Sequence, residues 1–112
     1  MIPSRYRLRS NRSFDVVYKR GHSVSDEKLV VTCLPSKYPT LKVGFVVGKK
    51  VGKAVQRNKV KRRLREAFRL LIPRLDDHTS YVVVARAPAA KANYHTLADS
   101  LQGLLARQGK LH

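Results

Sequence analysis

Leu41-Lys42-Val43-Gly44-Phe45-Val46-Val47, then Gly48-Lys49-Lys50-Val51-Gly52-Lys53, then the run from Ala54 to Leu71: this stretch decides the fold class. In its first seven residues Leu41, Val43, Phe45 and Val47 alternate onto one face, the pattern of a strand with one buried side. The other face holds Lys42, Gly44 and Val46, continued by Gly48. With so little bulk there, a helix, another backbone or a ligand can approach closely. The period then changes. Val60, Leu64, Ala67, Phe68 and Leu71 recur on one stripe of a helix over residues 54–71, which Pro73 stops.

Upstream, Ser10 is a good N-cap for a short helix with Phe14, Val17 and Tyr18 on one stripe, ended by Gly21. Residues 22–25 and 28–34 read as strands, the second rich in β-branched side chains, and Pro35 to Thr40 as a turn. Downstream, a loop through Asp76, Asp77 and His78 leads to a strand at 81–85. A last helix over 94–107 carries Leu97, Leu101, Leu104 and Leu105 at helical spacing. The order is α-β-β-β-α-β-α, which predicts one α+β domain over residues 1–112, with residues 1–9 as a flexible basic arm.

Charge narrows the function. The chain has 112 residues, 24 Lys+Arg against 7 Asp+Glu, and a net charge of +17. Such an excess repels itself in a folded domain, so it is expected where a polyanion shares the cost. No apolar run approaches the ~18 residues of a membrane span, and Met1 to Arg5 lack the apolar core of a secretory signal. Cys33 is alone, so no intramolecular disulfide can form and a reducing cytoplasm is the expected setting. The candidate polyanions are nucleic acid and an anionic membrane surface, and composition does not separate RNA from DNA.

Residues 49–69 hold ten Lys/Arg and a single acid, Glu66. At about 100° per residue, Asn58, Lys61, Arg62, Arg65 and Arg69 fall on an arc beside the apolar stripe, and Lys59, Arg63 and Glu66 on the remaining side. An ordinary solvated face mixes signs so that i,i+4 pairs offset repulsion. This arc contains no acid, which favours a phosphate track. The Gly48–Lys53 turn can add backbone N–H groups and ammonium groups at the helix start, but it lacks the GxxxxGK[ST] spacing of a phosphate-cradling loop.

No catalytic constellation accompanies this charge. The acids are Asp15, Asp26, Glu27, Glu66, Asp76, Asp77 and Asp99, and the two adjacent pairs fall in loops, where a solvated turn is the simpler reading. His22, His78, His95 and His112 have neither ligand spacing nor a partner for proton transfer, and Cys33 reads as core.

The segment from Val51 to Glu66, with Arg57-Asn58 followed by Lys61-Arg62 and Arg65 on one helix, resembles the signature of the bacterial ribonuclease P protein subunit. Phe14, Tyr18-Lys19-Arg20-Gly21, Val43-Gly44-Phe45-Val46-Val47 before Lys49-Lys50, and Ala85-Arg86 with Pro88 extend the likeness over residues 5–107. The resemblance implies a four-stranded, ribosomal-protein-like sheet with a left-handed βαβ crossover through the basic helix. It also implies a ribonucleoprotein endonuclease that removes 5′ leaders from precursor tRNA. Catalysis and the Mg²⁺ requirement then lie with a large RNA subunit, the protein supplies neither an active site nor metal ligands, and no obligate protein partner is evident.

Carried over by the resemblance, Lys49, Lys50, Lys53, Arg57, Asn58, Lys61, Arg62, Arg65 and Arg69 bind RNA, while Phe14, Tyr18, Thr32, Gly44 and Val46 form a cleft for the single-stranded leader. Thr32 stands where relatives carry an aromatic, so one stacking surface is missing. Aromatics at helical spacing equally suit a core, and a ribosomal or RNA-chaperone protein without a leader cleft would share the charge and fold class.

Overall fold

The computed structural model describes residues 2–112; Met1, the first residue of the expected arm, lies outside them. β1 (His22–Ser25), β2 (Leu29–Pro35), β3 (Lys42–Val47) and β4 (Thr79–Ala85) form a sheet in the order β1-β2-β4-β3. β1, β2 and β4 run antiparallel in turn, and β3 pairs parallel with β4. A parallel pair needs a crossover connection, and α2 (Ala54–Leu71) supplies it between β3 and β4. With α1 (Asn11–Arg20) and α3 (Tyr94–Arg107) the expected α-β-β-β-α-β-α order is complete. β4 begins at Thr79, two residues before the apolar run, because Ser80 and Thr79 pair with Leu34 and Pro35.

Strand pairing turns the alternation into rows across the sheet. On one face lie the rows Val43–Tyr81–Cys33, Phe45–Val83–Val31 and Val47–Ala85–Leu29. These pack against Val60, Leu64 and Phe68 of α2 and Leu97, Leu101 and Leu104 of α3 to form the core. Phe68 is fully buried and meets Phe45 and Tyr81 edge-on, with ring centroids 5.9 and 5.7 Å apart.

The opposite face has three rows: Lys42–Ser80–Leu34, Gly44–Val82–Thr32–Ser23, and Val46–Val84–Val30–Ser25. α1 lies over the middle one. Ser10 caps it, accepting from Ser13 N at 3.1 Å. Phe14 rests on Gly44 at one end, and Gly21 sits against Thr32 and Cys33 at the other. Val82 and Thr32 beneath are fully buried, with Thr32 Oγ1 and Ser23 Oγ hydrogen-bonded at 2.6 Å.

The segment read as an arm runs along the β3 edge from residue 2 onward. Ile2 is buried, Arg7 bridges to Val43, and Leu8 N donates to Val43 O at 2.9 Å. An edge strand has backbone groups free to pair, and Lys42 Nζ adds a bond to Arg5 O.

Two glycines of the β3 region test the seat of α1. A Cβ on Gly44 would fall 2.2 and 2.3 Å from Phe14 ring atoms, whereas one on Gly48 would meet nothing within 4 Å. Gly44→Ala is therefore expected to destabilise by about 1–3 kcal/mol as an overpacked site. Gly48→Ala should stay within about 0.5 kcal/mol of wild type. Urea denaturation of the two variants checks the contrast.

Candidate nucleic-acid interface

α2 turns its apolar stripe to the sheet, so its other residues are sorted by what lies on either side. Toward α3, Arg63 Nη1 donates to Ala92 O at 3.0 Å and the Gln56 amide donates to Ala90 O. Arg63 is thus engaged in holding the helix to the chain that precedes α3. On the other side Asn58, Arg62 and Arg65 are exposed and Lys61 is half-buried, and Arg65 shares a cavity with Val43, Gly44 and Phe45 of β3. Arg69 differs from the rest of its arc: its Nε donates to Glu66 Oε2 at 3.1 Å. That hydrogen bond holds the Glu66 carboxyl below its usual range. The one acid of the helix thus reaches across to offset Arg69, and among the described residues Asn58, Lys61, Arg62 and Arg65 have no acidic partner.

At the helix start, Lys49 and Lys50 are exposed on a single 3-10 turn and Lys53 is the N-cap, with no side chain accepting from the first N–H groups. Gly52 adopts φ 147°, which a side chain would strain. Arg57 is half-buried, and its Nε has no hydrogen-bond partner among the described residues. A buried, unpaired guanidinium N–H beside a row of cations is a ready donor to an anionic oxygen.

The aromatic positions come next. Phe14, Gly44 and Arg65 line one cavity of about 140 Å³ together with Arg7, Leu8 and Phe45. The cationic helix and the first aromatic of α1 therefore meet around the β3 edge, a proximity that no local pattern in the chain expresses. Tyr18 is 43% exposed, and partial burial raises its phenol above the usual range. From buried Val17, a step of about 100° carries Val16 to one flank of α1 and Tyr18 to the other. Val16 lines a groove with Leu34 and Ser80, so Tyr18 stands on the flank of Val46, Val84 and Val30.

Two of the expected cleft residues take a different place. Thr32 is fully buried under Gly21, and Gly44 is covered by the Phe14 ring, so neither is open floor. Alternation identifies which face of a strand is bare; it does not say which part of that face a helix will cover. The open floor is the next row, where Val46, Val84 and Val30 are all half-buried. Val84 and Val30 share this row with Val46 and are not among the expected cleft residues. Their signal, a bare row in register with Val46, exists only once the strand pairing is known. Val84 continues into a hollow of about 530 Å³ with Lys50 and Arg86, so this floor leads to the basic turn.

Cys33, Asp26 and Asp76 are occupied in structure. Burial pushes the Cys33 thiol up to about 12, far from a nucleophile at neutral pH. Asp26 accepts from Lys28 N and Leu29 N at 2.8 Å and from the Ser100 hydroxyl. Asp76 pairs with His112 and Lys110. Among the described residues no group of three or more His, Cys, Asp or Glu is placed to hold a metal ion, and no helix is long and apolar enough to cross a membrane.

A family model described as Ribonuclease P matches residues 2–109. The ribonuclease P protein component of Symbiobacterium thermophilum is 44% identical over 107 residues, covering 95% of this chain and 93% of its own. The structure of the Staphylococcus aureus RNase P protein superposes with a TM-score of 0.89 at 33% identity, covering 96% of this chain and 98% of that one. The Thermotoga maritima RNase P protein gives 0.82 at 33% identity over 90% and 96% of the respective chains.

The two sides of α2 should separate in mutants. Arg65→Ala is expected to lower the salt dependence of RNA affinity by about 0.7–0.9 per lost phosphate contact with thermal stability unchanged. Arg63→Ala should instead cost about 1 kcal/mol of stability and leave the salt slope near wild type. Salt titrations and melting curves on both variants read the difference.

Proposed function

Because the chain belongs to the ribonuclease P protein family, we propose that its two surfaces divide the RNA between them. As a member it takes part, with an RNA subunit, in an endoribonuclease complex that matures the 5′ end of tRNA. In this division the arc of Asn58, Lys61, Arg62 and Arg65, with Arg57 and the Lys49–Lys53 turn, holds the RNA subunit. The flank of α1 carrying Phe14 and Tyr18, over the Val46–Val84–Val30 floor, holds the unpaired leader of precursor tRNA. The observation that carries this reading is the acid-free arc of α2 meeting the Phe14 ring around the β3 edge.

The physical roles follow from side-chain type. Guanidinium and ammonium groups neutralise phosphates and release counterions. Guanidinium groups in addition fork two donors onto one phosphate. Rings on α1 offer π-faces on which bases of any sequence stack, as suits leaders of varied sequence. The half-buried valine floor excludes water beneath a base without hydrogen-bonding its edges. Arg69, already paired with Glu66, contributes less than its neighbours. Thr32 contributes through the hydroxyl pair that holds β1 to β2 under α1.

Phosphodiester hydrolysis is assigned to the RNA subunit, and Mg²⁺ to RNA phosphates there, where it would activate water and stabilise the leaving oxygen. The protein raises affinity for the substrate by binding the leader while the RNA holds the tRNA body. The whole domain, residues 1–112, acts as this one RNA-binding unit in the cytoplasm, with no obligate protein partner.

The isolated protein should leave precursor tRNA intact, and the cognate RNA should restore 5′ processing at low Mg²⁺. Metal-dependent cleavage by RNA-free protein, lost on substitution of Asp76 or Asp77, would refute the assignment of catalysis. In the reconstituted complex, Phe14→Ala should weaken binding on the order of tenfold for precursor with several leader nucleotides and leave leaderless tRNA unaffected. An equal loss with both substrates, alongside a lowered melting temperature, would make Phe14 a core residue only.

A further inference from the structure

α1 covers the middle row of its sheet face and leaves a row open on each side, but only one of these belongs to the leader cleft. The other, Lys42–Ser80–Leu34, faces a groove of about 500 Å³ between α1 and the chain following β2. Val16, Val17 and Leu34 give it an apolar lining, and Arg12, Arg20 and Lys37 supply its charge. A second hollow of about 200 Å³ shares Leu8, Ser13 and Tyr38 with it and adds Arg7, Arg9 and Lys42. No Asp or Glu lines either space. Tyr38 stands where the two meet, 56% exposed, with Lys42 Nζ 5.6 Å from its ring centroid. Its backbone N donates to Ser36 Oγ at 3.2 Å, which steadies the turn that presents the ring.

We propose that this groove is a second RNA site, holding an unpaired segment of the RNA subunit with a base stacked on Tyr38 and its phosphates among Arg12, Lys37 and Lys42. The reading rests on the family role set out above. Charge complementarity selects the occupant. Six cations without an acid call for a polyanion, and an exposed ring over an apolar floor calls for one with free bases. Duplex backbone would use the cations but not the ring. The leader is the wrong strand for this site, because α1 separates the groove from the Phe14–Tyr18 flank and one short strand cannot lie along both sides of the helix. The RNA subunit is the partner with chain to spare.

Tyr38 makes no core contact, so Tyr38→Ala is expected to melt with the wild type. Its affinity for the RNA subunit, measured by filter binding without substrate, should fall about tenfold, and Tyr38→Phe should restore it. Lys37→Ala should lower the salt slope by about 0.7. The extra affinity that leader nucleotides confer on the assembled complex should be the same in Tyr38→Ala as in wild type. Wild-type affinity in Tyr38→Ala would overturn the site and leave the groove to another class of partner, such as an acidic protein segment. A loss seen only with leader-bearing substrate would overturn the choice of the RNA subunit. A wild-type chain that binds no RNA subunit would overturn the family role and this site together.

Discussion

The ring of Phe14 lies on Gly44, and the seat of α1 across the sheet depends on that contact. A side chain at position 44 would hold α1 off the sheet. With glycine there, the helix settles across the middle row, buries Val17, Val82 and Thr32, and leaves a partly covered row of the sheet on either flank. The Val46–Val84–Val30 row proposed for the leader and the groove beside Tyr38 are therefore two consequences of one seat. The same contact brings Phe14 within one small cavity of Arg65, which ties the aromatic flank of α1 to the cationic side of α2.

A net charge of +17 on 112 residues has to be arranged so that the fold survives without its partner. The core does this by exclusion. The faces of β2, β3 and β4 that meet α2 and α3 present apolar side chains, the Tyr81 ring and, at the start of β4, Thr79, whose hydroxyl donates to Asp77 O; no cation of α2 is among the buried core residues. Where a cation does come close to packed chain, it has a bond to make: Arg63 to Ala92 O, Arg86 to Asp26 O, Lys42 to Arg5 O. Arg57 is the exception, with a buried Nε that the described residues leave unpaired. Its position at the start of the cationic arc makes phosphate the natural acceptor.

Asp26, Asp76 and Glu66 serve the fold. Asp26 closes the β1–β2 turn and ties it to α3 through Ser100, and Asp76 fastens the chain after α3 through His112 and Lys110. Glu66 tempers Arg69. Cys33 is buried in the core, its thiol pushed up to about 12.

The sequence by itself determined the element order, the bounds of α2 and the split of its polar residues into two sides. Each of these depends on the local repeat of a helix or strand, which neighbouring residues encode completely. Arg65 and Arg63 could be told apart because two residues along a helix is a turn of about 200°, whatever the helix packs against. Tertiary structure alone decided that Gly44 and Thr32 lie beneath α1, that Val84 and Val30 are the open floor beside Val46, and that residues 2–8 follow the β3 edge. It also decided that Tyr38, an unremarked turn residue in the sequence, stands among six cations. Those facts depend on strand register and on where a helix crosses the sheet, and both are set by contacts between residues tens of positions apart, where no local period reaches.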